Sequence, residues 1–189
     1  MPATSDLGGA LAVQPILEEL GLPFCFIGGL VVGRWGEPRF TRDANVTLFC
    51  PIGDEAEVIP KLAERLPGRV ESAVEFAQLH RIYLAKSPAG TPVDIALGTL
   101  DFEYRCVNRA TDFMIGLDQR LRTCSAEDLI VLKAFAGRPR DWLDIEGVIL
   151  SRGPKLNWPQ ILEELNPLAA LKEAPELVEG LVSLRDKLG

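Results

Sequence analysis

The stretch Pro38-Arg39-Phe40-Thr41-Arg42-Asp43-Ala44-Asn45-Val46-Thr47-Leu48, which follows the pair Gly28-Gly29, decides the reading of this chain. Residues 44–50 alternate: Asn45, Thr47 and Phe49 share one face of a strand, and Val46 and Leu48 the other. Side chains at i and i+2 point the same way, so Asp43 joins the Asn45 face and the two oxygen donors aim at one point. Just upstream, residues 23–27 read as a short apolar strand. Gly28-Gly29 then turns the chain into one or two helical turns over 30–35, stopped near Gly36 and Pro38. The glycines let a backbone approach phosphate closely, and the start of the following helix favours an anion.

Outward from this stretch the pattern alternates between helix and strand. Leu11, Ile16, Leu17 and Leu20 mark an N-terminal helix over 8–20 that Gly21 ends. Asp54 is placed to cap a helix that runs to about Leu66 and closes at Pro67-Gly68. Residues 79–85 and 91–97 read as a hairpin across 86–90, with Asp94 inside the second strand. The single histidine, His80, falls on the first of these strands and reads as structural. Residues 103–111 suggest a short helix, and 113–115 and 120–124 two short strands. Ser125 with Asp128 is a capping arrangement that opens a helical remainder, with further helices over 140–150, 159–165 and 175–188. The expected fold is therefore α/β (α+β): a mixed sheet flanked by helices over 1–124, with a helical part over 125–189 packing on it.

The composition agrees with a folded chain. Of 189 residues 47% are hydrophobic and 25% charged, which supports a sizeable core. A net charge of -7 argues against a broad non-specific nucleic-acid surface. A local groove near Arg34, Arg39 and Arg42 leaves an RNA acceptor open. No basic signal region and no apolar run of membrane-spanning length is present, so no membrane association and a cytoplasmic location are expected. Cys25, Cys50, Cys106 and Cys124 are scattered among apolar residues, which suits reduced buried thiols and not a compact zinc site. Trp35, Trp142 and Trp158 form no motif and read as packing residues.

Asp43 and Asn45 could hold a divalent ion, and Asp94 on a neighbouring strand could bring a third ligand. Asp94 is notable in itself, because a carboxylate in an apolar strand needs a partner. A second polar group lies further on. Lys133 interrupts an apolar helix, and Arg138, Arg140, Asp141 and Asp144 follow. Two readings of it stand side by side. Lys133 or Arg138 clamps a triphosphate, or Lys133 snorkels from a helix surface while Asp141 pairs with Arg138.

The order Ile27-Gly28-Gly29, then Arg39-Phe40-Thr41-Arg42-Asp43-Ala44-Asn45, then Pro92-Val93-Asp94-Ile95, resembles the minimal nucleotidyltransferase superfamily. It is most similar to the branch of AbiEii toxins and their small bacterial relatives. The run 127–133 followed by Gly137-Arg138-Pro139-Arg140-Asp141-Trp142-Leu143-Asp144 is similar to the same branch. The resemblance implies NMP transfer from an NTP to a hydroxyl, with Mg²⁺ or Mn²⁺ as cofactor. It implies Asp43, the Asn45 position and Asp94 as catalytic and metal-binding residues, Asp94 polarising the attacking hydroxyl. It also implies Gly28, Gly29, Thr41, Arg42, Lys133, Arg138, Asp141 and Asp144 as nucleotide-binding residues. The acceptor would be a protein, an RNA or a small molecule, and a cognate antitoxin or toxin a further partner.

The chain departs from the branch at one position. Where the branch has its second metal-binding Asp, this chain has Asn45, an oxygen donor without charge. Two function classes follow: a transferase working with an altered metal site, and a degenerate nucleotide- or partner-binding protein.

Overall fold

The computed structural model describes residues 5–188. One unit comprises the chain up to Leu30 together with Phe40–Cys124; the other comprises Val31–Arg39 and the chain from Ser125 onward.

The first unit is built on a six-stranded mixed sheet. Its strands are β1 (Phe24–Ile27), β2 (Ala44–Phe49), β3 (Ile82–Lys86), β4 (Pro92–Gly98), β5 (Thr111–Ile115) and β6 (Gln119–Thr123), in the order β3-β4-β2-β1-β6-β5. β2 runs parallel to β4, and β1 parallel to β6; the remaining neighbours are antiparallel. Short apolar strands rich in Val, Ile, Leu and Phe are suited to burial on both faces. Accordingly Phe26, Val46, Leu48, Val93 and Ile95 are fully buried.

Helices α1 (Ser5–Glu19), α3 (Glu55–Arg65), α4 (Ala73–His80) and α5 (Asp101–Arg109) flank this sheet. α1 packs against β2, β4 and β6, and α5 against β1 and β2. The buried amide of Gln14 in α1 bonds the β6 backbone twice, donating to the Arg120 carbonyl at 3.2 Å and accepting from the Arg122 N–H at 2.8 Å. Cys25 and Cys106 bring their thiols within 3.8 Å between β1 and α5. All four cysteines are buried.

Helix α4 takes the first two residues, 79 and 80, of the expected hairpin strand, which begins instead at Ile82. Its alternation is ambiguous over so few residues, and Phe76 stacking on His80 at 4.4 Å fits helical spacing. His80 therefore ends a helix and not a strand, with Arg81 as its left-handed cap. Asp54 precedes α3 as expected but makes no side-chain capping bond; Glu55 instead accepts from the Gly53 N–H at 2.6 Å. Glu103 caps α5: its carboxylate accepts from the Thr99 and Leu100 N–H groups at 2.7 and 2.9 Å.

The second unit is helical. α2 (Gly29–Trp35) enters it from the first, and α6 (Ala126–Ala136), α7 (Pro139–Arg152), α8 (Trp158–Leu171) and α9 (Glu176–Leu188) complete it, with a 3-10 turn at Gly153–Lys155. α6 packs on α7, α8 and α9 through Leu129, Ile130, Ala134, Ile145 and Leu165. The Ser125 hydroxyl accepts from the Asp128 N–H, the start predicted for α6, and Gly137 ends the helix at φ 69°. A side chain at Gly36 would lie 3.0 Å from the Val148 nitrogen, so a glycine there lets residues 31–39 approach α7. Trp142, half-buried, packs against Gly180.

Candidate functional site

The polar stretch lies on one face of the first unit. Backbone pairing sets Asn45 directly opposite Asp94 on β2 and β4, Ile27 opposite Asn45, and Leu84 opposite Asp94. Directly paired residues share a face, so Leu84, Asp94, Asn45 and Ile27 form one row across four strands. Further along the same face Thr47 is buried and Phe49 stacks on Tyr104 of α5 at 4.9 Å. Asn45 and Asp94 are only half-buried. The helix thus covers one end of the face, and the polar pair lies toward the other.

Three neighbours shape this end. Gly28 turns at φ 73°, a region that costs a side-chain-bearing residue strain, and a Cβ there would come within 3.3 Å of the Asn45 Cβ. Gly29 opens α2, which has seven residues and so a short dipole. The buried Thr41 hydroxyl donates to Asp43 Oδ1 at 2.9 Å and so orients the carboxylate. Arg42 is exposed.

Asp94 has an ion-pair partner that sequence reasoning missed. Arg69 donates through Nη1 to Asp94 Oδ1. Its backbone is fixed at the sheet edge: the Arg69 N–H bonds the Leu84 carbonyl at 2.8 Å, the Lys86 N–H bonds the Pro67 carbonyl at 2.8 Å, and Gly68 bridges Ala85. Arg69 thereby extends the Leu84–Asp94–Asn45 row by one position, and its side chain reaches across Leu84. A glycine at 68 is needed for this edge, since a Cβ there would meet Ala73 at 2.5 Å. A Pro-Gly followed by an Arg after a helix was the available signal, but it read only as a helix stop.

These residues do not fit a two-ion centre. The paired row offers Asp94 as a carboxylate and Asn45 as a neutral donor, a guanidinium already engages Asp94, and Asp43 stands just before β2. Among the described residues no three acidic, histidine or cysteine side chains group as metal ligands. Two divalent ions need more negative charge than this set supplies.

The other predicted residues gather in the second unit. Lys133 is 5% exposed, and its ammonium donates to Asp141 Oδ1 at 2.8 Å and Asp144 Oδ2 at 2.6 Å. Arg138 donates to both oxygens of Asp141, at 2.6 and 3.3 Å. Arg39 grips Asp144 bidentately at 2.8 and 3.0 Å. Asp141 and Asp144 are one turn apart on α7, which lets one ammonium from α6 bridge both. Burial pushes both carboxyls up. Hydrogen bonds from Arg138 and Lys133 outweigh this at Asp141, and those from Arg39 and Lys133 outweigh it at Asp144, so each titrates below its ordinary range. The snorkelling reading of Lys133 is overturned, because its amine is buried between two acids. The Arg138–Asp141 pair is present, as one edge of a larger network. A cavity of about 200 Å³ in this unit is lined by Val32, Pro38, Arg39, Arg140, Leu143 and Asp144.

No family model matches the chain, and no curated protein matches it. Solved structures do. An antigenic nucleotidyltransferase-like protein from Paracoccidioides brasiliensis is similar with a TM-score of 0.52 and 16% identity, over 95% of this chain and 93% of that one. ANT(2")-Ia, solved in complex with adenylyl-2"-tobramycin, gives 0.45 and 20%, over 94% and 95%. JHP933 from Helicobacter pylori gives 0.44 and 12%, over 98% and 90%. The first of these likenesses establishes a distant nucleotidyltransferase-like fold relationship and, at such identity, the fold alone. None of them singles out the AbiEii branch.

Proposed function

We propose that this chain binds a nucleoside triphosphate on the Gly28–Asn45–Asp94 face and that the two-ion transfer chemistry of the fold is disabled there. The observation that carries this reading is the pairing of Asn45 with Asp94. The register puts a neutral amide at the point where a second acid would stand beside Asp94. An amide accepts from and donates to phosphate and ribose groups, but it does not balance an ion's charge. The positive-φ turn at Gly28 packs against Asn45, and a glycine backbone is one that a phosphate can approach closely. In this reading the Lys133–Asp141–Asp144 network holds α6 to α7 and is not a phosphate clamp.

A second reading has one observation in its favour. Asp43 is oriented by Thr41, as a working carboxylate would be, and Asp94 lies in register beside Asn45. On that reading the chain moves an NMP to a hydroxyl of a protein, an RNA or a small molecule, using an altered Mg²⁺ or Mn²⁺ site. A cognate antitoxin-like partner would belong to either reading.

Calorimetry of each NTP against the parent and an Asn45→Asp variant, with and without Mg²⁺, tests the proposal. The parent is expected to bind an NTP with affinity nearly independent of Mg²⁺ and to release no pyrophosphate on incubation with candidate acceptors. The variant is expected to bind in a Mg²⁺-dependent manner. Pyrophosphate release by the parent would establish the second reading, and absence of NTP binding to both proteins would overturn the first.

A further inference from the structure

Resting on the reading of the Asn45–Asp94 face as the ligand face, we infer that Arg69 is its resident cation and holds Asp94 in place of a metal ion. Three features support a built position. The backbone of 67–69 is pinned to β3 by two hydrogen bonds and a bridge, so the arginine does not arrive on a free loop. Pairing at the edge sets Arg69 beside Leu84, in line with Asp94 and Asn45. Side chains of both partners are less than one-third exposed, at 28% and 29%, which limits screening of the pair by solvent.

Charge counting on this face gives the consequence. On the paired row Asp94 contributes one negative charge and Arg69 one positive, leaving about no net charge for a cation to meet. An acid at position 45 would bring the row to about -1, and removing the guanidinium as well to about -2, the charge of two free carboxylates. Arg69 and Asn45 therefore act in the same direction. Each makes a divalent ion less welcome at Asp94.

The test uses Mn²⁺ alone, followed by electron paramagnetic resonance of the free ion, so that it reads the face without nucleotide. The parent is compared with Arg69→Gln, Asn45→Asp, the double variant and Arg69→Gln/Asp94→Asn. Arg69→Gln is expected to bind Mn²⁺ about tenfold more tightly than the parent, and the double variant about tenfold more tightly again, since ion affinity follows ligand charge. Addition of Asp94→Asn should abolish the gain, which assigns the ion to Asp94. Arg69→Lys, which keeps the charge and loses the planar fork, should stay near the parent and serves if the glutamine variant does not fold; an affinity matching a free carboxylate site in that variant would count against the inference. Folded Arg69→Gln protein with parent-like Mn²⁺ affinity would overturn it, as would tight Mn²⁺ binding by the parent. A gain in Mn²⁺ affinity without any NTP binding would sink the proposed function and leave the role of Arg69 standing.

Discussion

Lys133 and Asp144 meet at 2.6 Å inside the helical unit, with side chains only 7% and 5% exposed. An ammonium so deeply buried is stable only because Asp141 accepts from it as well, at 2.8 Å. Breaking a buried ion pair by removing one partner is costly, because the other charge stays behind in a poorly solvated place. Lys133→Met should therefore lower unfolding stability by about 3 kcal/mol, read as a shift in the urea midpoint at constant slope. A change below about 1 kcal/mol would mean that Arg39 and Arg138 alone satisfy the two acids.

The same network makes an acid-stability prediction. Asp141 and Asp144 both have folded-state values below the ordinary 3.8, so folding favours their ionised forms. Their contribution is fully present above 3.8 and is lost as the pH falls through the lowered folded values. Stability of the parent should thus fall steeply below that point. In Asp144→Asn one of the two titrations is gone, and the slope of stability against pH in the acid range should become shallower. Urea unfolding at several acidic pH values measures both slopes; equal slopes would show that Asp144 does not couple to folding.

Much of this architecture was legible because it is local. Strands β1, β2 and β4 declare themselves by apolar runs and alternation, and β2's two-residue period puts Asn45, Thr47 and Phe49 on one face, while Asp43 stands just before the strand, which begins at Ala44. Asp141 and Asp144 were placed on one helix face by their spacing alone. What escaped depends on distant partners. Arg39 grips Asp144 from 105 positions away, and Arg69 reaches Asp94 across a strand that lies between them in the sheet. No local pattern encodes such meetings; strand order does. The same limit explains His80, whose short surrounding segment fits either period until Phe76 is seen to stack on it.

Gly28 offers a separate test of the turn. Its φ of 73° strains any residue with a Cβ, and that Cβ would press on Asn45 at 3.3 Å. Gly28→Ala should cost about 1–2 kcal/mol in stability from the left-handed backbone alone. If the turn also receives phosphate, NTP affinity should fall in the folded variant by more than tenfold, while Gly21→Ala should not alter NTP affinity. Gly21 is a fair control, since it also has positive φ but meets no atom within 4 Å. Equal NTP binding by both variants would remove the turn from the binding face.

Asn45→Asp should be less stable than the parent in the absence of divalent ions, and more responsive to them. The new carboxylate would face Asp94 across the parallel pair, where like charges directly opposite each other are destabilising by roughly 0.2–1 kcal/mol. Salt should reduce the deficit through screening, because both positions are half-buried. A divalent ion held between the two acids should reverse it: at a concentration about a hundredfold above its dissociation constant, binding to the folded state alone adds about 2.7 kcal/mol. Thermal melts of parent and variant across a Mg²⁺ series measure this directly. The variant's melting temperature should start below the parent's and cross it as Mg²⁺ rises. Parallel curves would mean that an acid at position 45 creates no ion site while Arg69 remains on Asp94, which makes the arginine the stronger of the two barriers.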